Sequence, residues 1–175
     1  IRDYVKVDVN QFHGIEIEEW PAQIARVAMW LIDHQMNVKV SALFGNALVR
    51  VPLVKSANIH QNDALLYDWN KVIESAHCNY VLGNPPFKGA RLMTAAQKAS
   101  NLAALHGVNG ANNLDFVAGW YVKTARYLNE NAKAALVSTN SITQGEQVGL
   151  LWSWMLANSV RIHFAHRTFR WKNEA

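Results

Sequence analysis

The chain has 175 residues, half of them hydrophobic and 17% charged, with a formal charge of +4. That is enough apolar material to bury a core in one domain, or most of one, and it excludes wholesale disorder. No apolar run approaches the ~18 residues of a membrane span, and the single Cys78 excludes an internal disulfide or a cysteine zinc cluster and fits a reducing compartment.

In chain order, "FHGIEI" (12–17) is a short strand. Glu18, Glu19 and Pro21 then mark the first turn of a helix, where free N–H groups and the dipole favour acids and proline. Ile24, Val27, Ala28 and Leu31 fall on one face of that helix and are its expected core side. "ANIHQND" (57–63) is a second strand and "NYVLG" (79–83) a third, with a short helix expected around 68–75. Helices follow near 91–106 and 113–129, the second striped by Leu114, Val117, Tyr121, Ala125 and Leu128. "AALVST" (134–139) is a fourth strand, "GEQVGLLWSWMLAN" (145–158) a helix whose tryptophans read as core, and "VRIHFA" (160–165) a fifth strand. "HGVNGANN" (106–113) reads as a flexible loop without an assigned task. Alternation of this kind predicts an α/β fold, a mainly parallel sheet with helices on both faces. Chemistry in such sheets collects beyond the carboxyl ends of the strands, where Glu16, Asp63 and the run Asn84-Pro85-Pro86-Phe87 all fall.

That last run has a chemical logic. Two prolines make a stiff segment whose only backbone hydrogen-bonding groups are carbonyl oxygens. Asn84 adds a side-chain carbonyl, so Asn84 and the Pro85 carbonyl can offer two fixed acceptors to one amino group. Phe87 can lie against an aromatic ring that bears the amine, a stacking contact worth roughly 1–3 kcal/mol. An exocyclic amine of a nucleobase fits. Its lone pair is delocalised into the ring, and two acceptors held out of the ring plane localise it by electrostatic preorganisation. The plainer reading is a strand-ending turn, since Asn and Pro are common turn residues.

In this setting "NPPF" resembles the catalytic motif of S-adenosylmethionine-dependent amino-group methyltransferases, above all the DNA adenine-N6 enzymes with their Rossmann-like fold. "GIEI" (14–17) resembles the second-strand segment of that family, which implies Glu16 as the ligand of the ribose hydroxyls and Ile17 as the surface under the cofactor's adenine. "QNDALLYDW" (61–69) resembles the third-strand segment, which implies Asp63, with Ala64 beside it, at the adenine N6; Asp68 reads as a helix N-cap instead. "ALVSTNSITQGEQ" (135–147) and "FAHRTFRWKNEA" (164–175) are similar to the methyltransferase part of bifunctional type II (IIL/IIG) restriction–modification enzymes. The resemblance implies that Phe169, with Trp171 as substitute, stacks on a flipped adenine opposite Phe87. Arg167, Arg170 and Lys172 in the same loop are placed to neutralise phosphates of double-stranded DNA. His163 and His166 read as structural polar residues, and no metal is implied.

The family likeness spans the chain but leaves parts out. Residues 1–11 hold no glycine, whereas the family's first strand ends in a glycine-rich turn around the cofactor's methionine end. The closing strand is missing as well. Residues 1–175 are therefore expected to be a partial catalytic domain of a longer bacterial, cytoplasmic protein, inactive alone and lacking a strand at mid-sheet. Target-recognition and nuclease regions of the same polypeptide are the expected partners. Two alternatives stay open: a non-catalytic DNA-binding or scaffold remnant, and a methyltransferase acting on rRNA or protein glutamine.

Overall fold

Among the described residues four strands form; three lie inside runs that the sequence marks as extended, and the fourth, Lys133–Leu136, starts one residue before the run expected at 134–139 and stops three residues short of its end. The structure, a computed structural model, describes residues 6–44, 56–166 and Phe169. Residues 1–74 and 75–175 separate into two compact units, and each holds one pair of parallel strands. Among the described residues these are two separate two-stranded sheets rather than one continuous sheet.

In the first unit, β1 (His13–Glu16) pairs with β2 (Asn58–Gln61), with His13 opposite Asn58 and Glu16 opposite Gln61. Parallel neighbours need a long crossover, and α1 (Glu19–Phe44) lies within it. The helix meets the strands through Ala22, which is buried, and through Ala25, Arg26 and Met29, which are partly covered. The Arg26 guanidinium donates to the Ile59 carbonyl at 2.6 Å, fastening α1 to β2. This corrects the expected facing of α1. Trp20, Ile24, Val27, Leu31 and Val38 are exposed, and Ala28 with them. They line the side opposite Ala22. The helix is apolar on two faces, and periodicity alone cannot say which one meets the sheet. The helix expected at 68–75 is replaced by two 3-10 turns, Trp69–Lys71 and Ser75–His77. Asp68 caps the first of them, its carboxylate accepting from Asn70 N–H at 3.0 Å, as the sequence suggested.

In the second unit, β3 (Tyr80–Gly83) pairs with β4 (Lys133–Leu136), Tyr80 opposite Lys133 and Gly83 opposite Leu136. The intervening chain forms α2 (Ala95–Ala104) and α3 (Ala118–Tyr127). Helix α2 starts later than the expected 91 because Thr94 and Gln97 form a reciprocal capping box, which fixes the first turn. Residues 145–157 are helical throughout: α4 (Gly145–Gln147), a π-helical turn (Val148–Trp152) and α5 (Ser153–Ala157).

The core of this unit joins α3 to the 145–157 helix. Leu105, Val108, Leu114, Val117, Ala118, Val122, Ile142, Leu151 and Met155 form one buried cluster, with Tyr121, Ala125, Trp152 and Trp154 packed against it. The core role of the tryptophans holds, and Leu114, Val117, Tyr121 and Ala125 pack in this core as expected, but α3 is shorter than the helix expected at 113–129: Leu114 lies in extended backbone before it, and Leu128 is outside the cluster. Trp152 Nε1 donates to the Ile142 carbonyl at 2.7 Å, and the Arg126 guanidinium lies 5.1 Å from the Trp154 ring centre.

Two expectations fail here. The segment 160–165 is not a strand; it runs without regular structure, because among the described residues no strand edge accepts its ladder. The 106–113 stretch is a packed turn rather than a flexible loop. Val108 is buried, and Gly110 sits at φ +68°, where a Cβ would lie 2.8 Å from Leu150 Cδ2. Among the described residues no helix is long and apolar enough to cross a membrane.

Candidate active site

Parallel pairing sends the carboxyl ends of neighbouring strands the same way. In the first unit this brings Glu16 and the β2 exit together: Glu16 is opposite Gln61, and Asn62 N–H donates to the Glu16 carbonyl at 2.8 Å. Asp63 and Ala64 follow at once. The Glu16 carboxylate accepts from Glu18 N–H at 3.2 Å, and the Asp63 carboxylate accepts from Leu65 N–H at 2.8 Å. Trp69 Nε1 donates to the Ala64 carbonyl at 2.8 Å, which holds the β2 exit in a tight turn. Ile17 is 58% exposed, an apolar surface beside the two carboxylates. Two acceptor side chains and one open aliphatic side chain suit a ligand with vicinal hydroxyls and a flat aromatic ring.

In the second unit the Asn84-Pro85-Pro86-Phe87 run leaves β3 directly. Gly83 allows this: a Cβ there would lie 3.0 Å from Leu136 Cδ2, and Val137 N–H reaches the Gly83 carbonyl at 3.0 Å. Pro85 is buried while Asn84, Pro86 and Phe87 are exposed. Among the described residues, neither the Asn84 amide nor the Pro85 carbonyl accepts a hydrogen bond from protein. Asn84 therefore does not brace the backbone, which is what an ordinary strand-ending turn would have it do. Beyond Phe87 the chain is tied down again: Phe116 N–H donates to the Lys88 carbonyl at 2.9 Å, and Lys88 Nζ donates to Gln97 Oε1 at 3.1 Å.

The residues that make those ties went unnoticed in the sequence. Asp115 adds a further tie, its carboxylate accepting from Ala90 N–H at 2.9 Å, and it is held in turn by Gln147 and by Asn101, which is polar yet 1% exposed in an otherwise alanine-rich helix. Close to the β4 exit, Tyr121 Oη donates to Ser138 Oγ at 3.2 Å. Burial pushes the Tyr121 phenol above its usual 10.0, and the Ser138 hydrogen bond offsets part of that.

Phe169 is half exposed and meets the His166 ring edge-on at 5.8 Å. His163 and His166 are themselves exposed. Arg167, Arg170, Trp171 and Lys172 lie outside the described residues.

Comparison with known proteins bears on this arrangement. The family model described as "MmeI, DNA-methyltransferase domain" matches residues 2–175. DNA methyltransferase A of Bacillus subtilis (strain 168) is 35% identical over 173 residues, which is 97% of this chain and 20% of that protein. A solved structure of the type IIL restriction–modification enzyme MmeI in complex with DNA superimposes on the whole chain with a TM-score of 0.92 and 52% identity, and the match covers 24% of that enzyme. The chain thus spans between a fifth and a quarter of the length of these relatives. It is a mixed α/β chain with parallel strand pairs, and it belongs to the family of MmeI DNA-methyltransferase domains.

Proposed function

We propose that residues 1–175 are the catalytic methyltransferase part of a longer restriction–modification polypeptide that methylates the N6 amino group of adenine in double-stranded DNA. The observation that carries this reading is the exposed Asn84 amide, which has no hydrogen-bond partner among the described residues and is mounted on a proline pair whose first ring is buried. Buried Pro85 fixes the height of the segment and exposed Asn84 leaves its oxygen available. Asn84 and the Pro85 carbonyl together accept the two amine hydrogens and raise the electron density on nitrogen. They need not move to do so, and such preorganised groups are worth roughly 10²–10³ in rate each. Phe87 offers its exposed ring to one face of the flipped base, and Phe169 is the candidate for the other.

Glu16 and Asp63 fit S-adenosylmethionine as hydrogen-bond acceptors at the shared end of β1 and β2. Ile17 supplies the surface for its adenine, and Ala64, as a small neighbour, leaves room. When bound, S-adenosylmethionine supplies the electrophilic methyl group. Arg167, Arg170 and Lys172 serve the DNA backbone in this reading, with Trp171 the substitute for Phe169 on the flipped base, while target-recognition and nuclease regions belong to the rest of the polypeptide, in a bacterial cytoplasm. The complete domain is Rossmann-like, and residues 1–175 are part of it.

The test is methyl transfer to duplex DNA by the full-length protein, by its Asn84→Ala variant and by the 175-residue chain alone. Only the first is expected to transfer at full rate: Asn84→Ala is slower by about 10²–10³-fold or more yet binds cofactor normally, and the isolated chain is inactive. Loss of cofactor binding along with transfer would make Asn84 a structural residue, and transfer by the isolated chain would refute the claim that it is incomplete.

A further inference from the structure

Asp115 stands at a crossing of four segments. Its carboxylate Oδ1 accepts from Ala90 N–H at 2.9 Å, three residues beyond Phe87. Its carbonyl accepts from the buried Asn101 amide of α2 at 3.4 Å and from Ala118 N–H at 3.0 Å, which opens α3. Its own N–H donates to Gln147 Oε1 on α4 at 3.2 Å. Gln147 Nε2 in turn donates to the Asn113 carbonyl at 2.8 Å, and Asn113 Nδ2 donates to Glu146 Oε2 at 3.1 Å. The neighbouring Phe116 N–H takes the Lys88 carbonyl at 2.9 Å. Residues 88–90 are thereby clamped at two points to residues 115–116, and those are fixed to two helices.

The clamp meets the Pro-Pro-Phe segment at its downstream end. Upstream, β3 is held by the β4 ladder up to Gly83. Between these anchors lie only Asn84, Pro85, Pro86 and Phe87, two of them with φ set by a ring. We propose that Asp115 is the positioning residue of this loop: by holding Ala90 N–H it fixes where the Asn84 oxygen and the Phe87 ring stand, without itself touching base or cofactor. The inference rests on the proposed role of Asn84. A carboxylate suits the task because a charged acceptor makes a shorter and stronger bond to a backbone N–H than a neutral one.

The experiment uses the full-length protein, with DNA methyl transfer read as kcat and KM, and cofactor affinity measured separately. Asp115→Ala is expected to lower kcat about 10- to 100-fold, the scale of a loop misplaced by about an ångström, with KM for DNA and cofactor affinity almost unchanged. Asp115→Asn keeps an oxygen for Ala90 N–H and restores most of the rate. Ala90→Pro removes the donor instead of the acceptor. Gly89, at φ −66° and ψ 153°, already has the conformation that precedes proline, so this variant decides the matter if Asp115→Ala does not fold. The double variant is expected to be no slower than the worse single one, because both delete one interaction. An unchanged kcat in Ala90→Pro and Asp115→Ala, an Asp115→Asn as slow as Asp115→Ala with its fold intact, or additive losses in the double variant would each overturn the proposal. Failure of the reading beneath it looks different: wild-type protein then transfers no methyl to DNA, or Asn84→Ala transfers normally.

Discussion

The two units are built to different standards. Residues 75–175 enclose a contiguous cluster of nine buried apolar residues spread over α3, the turn before it and the 145–157 helix. In residues 1–74 the buried apolar residues among those described are Val9, Ala22, Ala57 and Leu65, while α1 turns Trp20, Ile24, Val27 and Leu31 outward. The unit that carries Asn84 thus stabilises its own loop, through side chains that reach one another inside it. The unit that carries Glu16 and Asp63 has little interior of its own among the described residues. A loop proposed to polarise an amine needs positional accuracy at the level of single hydrogen bonds, and residues 84–87 belong to the unit with the denser packing.

The contrast is sharpened most by paired substitutions. Leu114→Ala, at a fully buried position, is expected to cost about 2–5 kcal/mol in denaturant unfolding. Ile24→Ser on the outer face of α1 is expected to change the stability of the 175-residue chain by about 0.5 kcal/mol or less. An equal cost for both would erase the distinction. A second pair separates binding from chemistry. In the full-length protein Glu16→Ala is expected to weaken S-adenosylmethionine binding roughly 10- to 100-fold, as loss of a charge-assisted hydrogen bond does, whereas Asn84→Ala leaves affinity alone; calorimetric titration of both variants checks it.

The smallest effect concerns pH. The Tyr121 phenol is raised above 10.0, chiefly by burial, so the folded state prefers it neutral. Its contribution to stability is complete below pH 10 and is lost as pH rises through the raised value. Tyr121→Phe should flatten that alkaline decline, and parallel curves for the two proteins would show that Tyr121 is not responsible.

Where one strong local signal existed, the sequence disclosed it. The strand end at Gly83 follows from an apolar run closed by glycine, while the strands expected at 12–17 and 134–139 end earlier, at Glu16 and Leu136; the burial of Leu114 and Val117 was legible in helical spacing although both precede α3. That the Asn84 run follows directly on a strand was legible because an apolar run closed by glycine and a proline pair cannot continue as a ladder. The facing of α1 was not, since two apolar stripes carry the same period and only the position of β1 and β2 chooses between them. The segment 160–165 alternates like a strand, but a strand exists only if a neighbour accepts its ladder. Asp115 was invisible for a related reason. Its partners at 90, 101 and 147 lie far apart in sequence, and nothing about a lone aspartate before a phenylalanine announces them.

The π-helical turn at Val148–Trp152 makes the spacing of this helix a matter of residue count. On one side of it Gln147 grips Asn113 and Asp115; on the other, Met155 sits in the interior. Tightening the wide turn to ordinary α geometry at the same length would swing Gln147 by roughly 90° around the axis relative to Met155, whereas removing one residue as it tightens nearly restores the register. Substitutions here that favour a regular α-helix thus act as a timing error between scaffold and loop rather than as a loss of contacts, and a one-residue deletion is the change that compensates them.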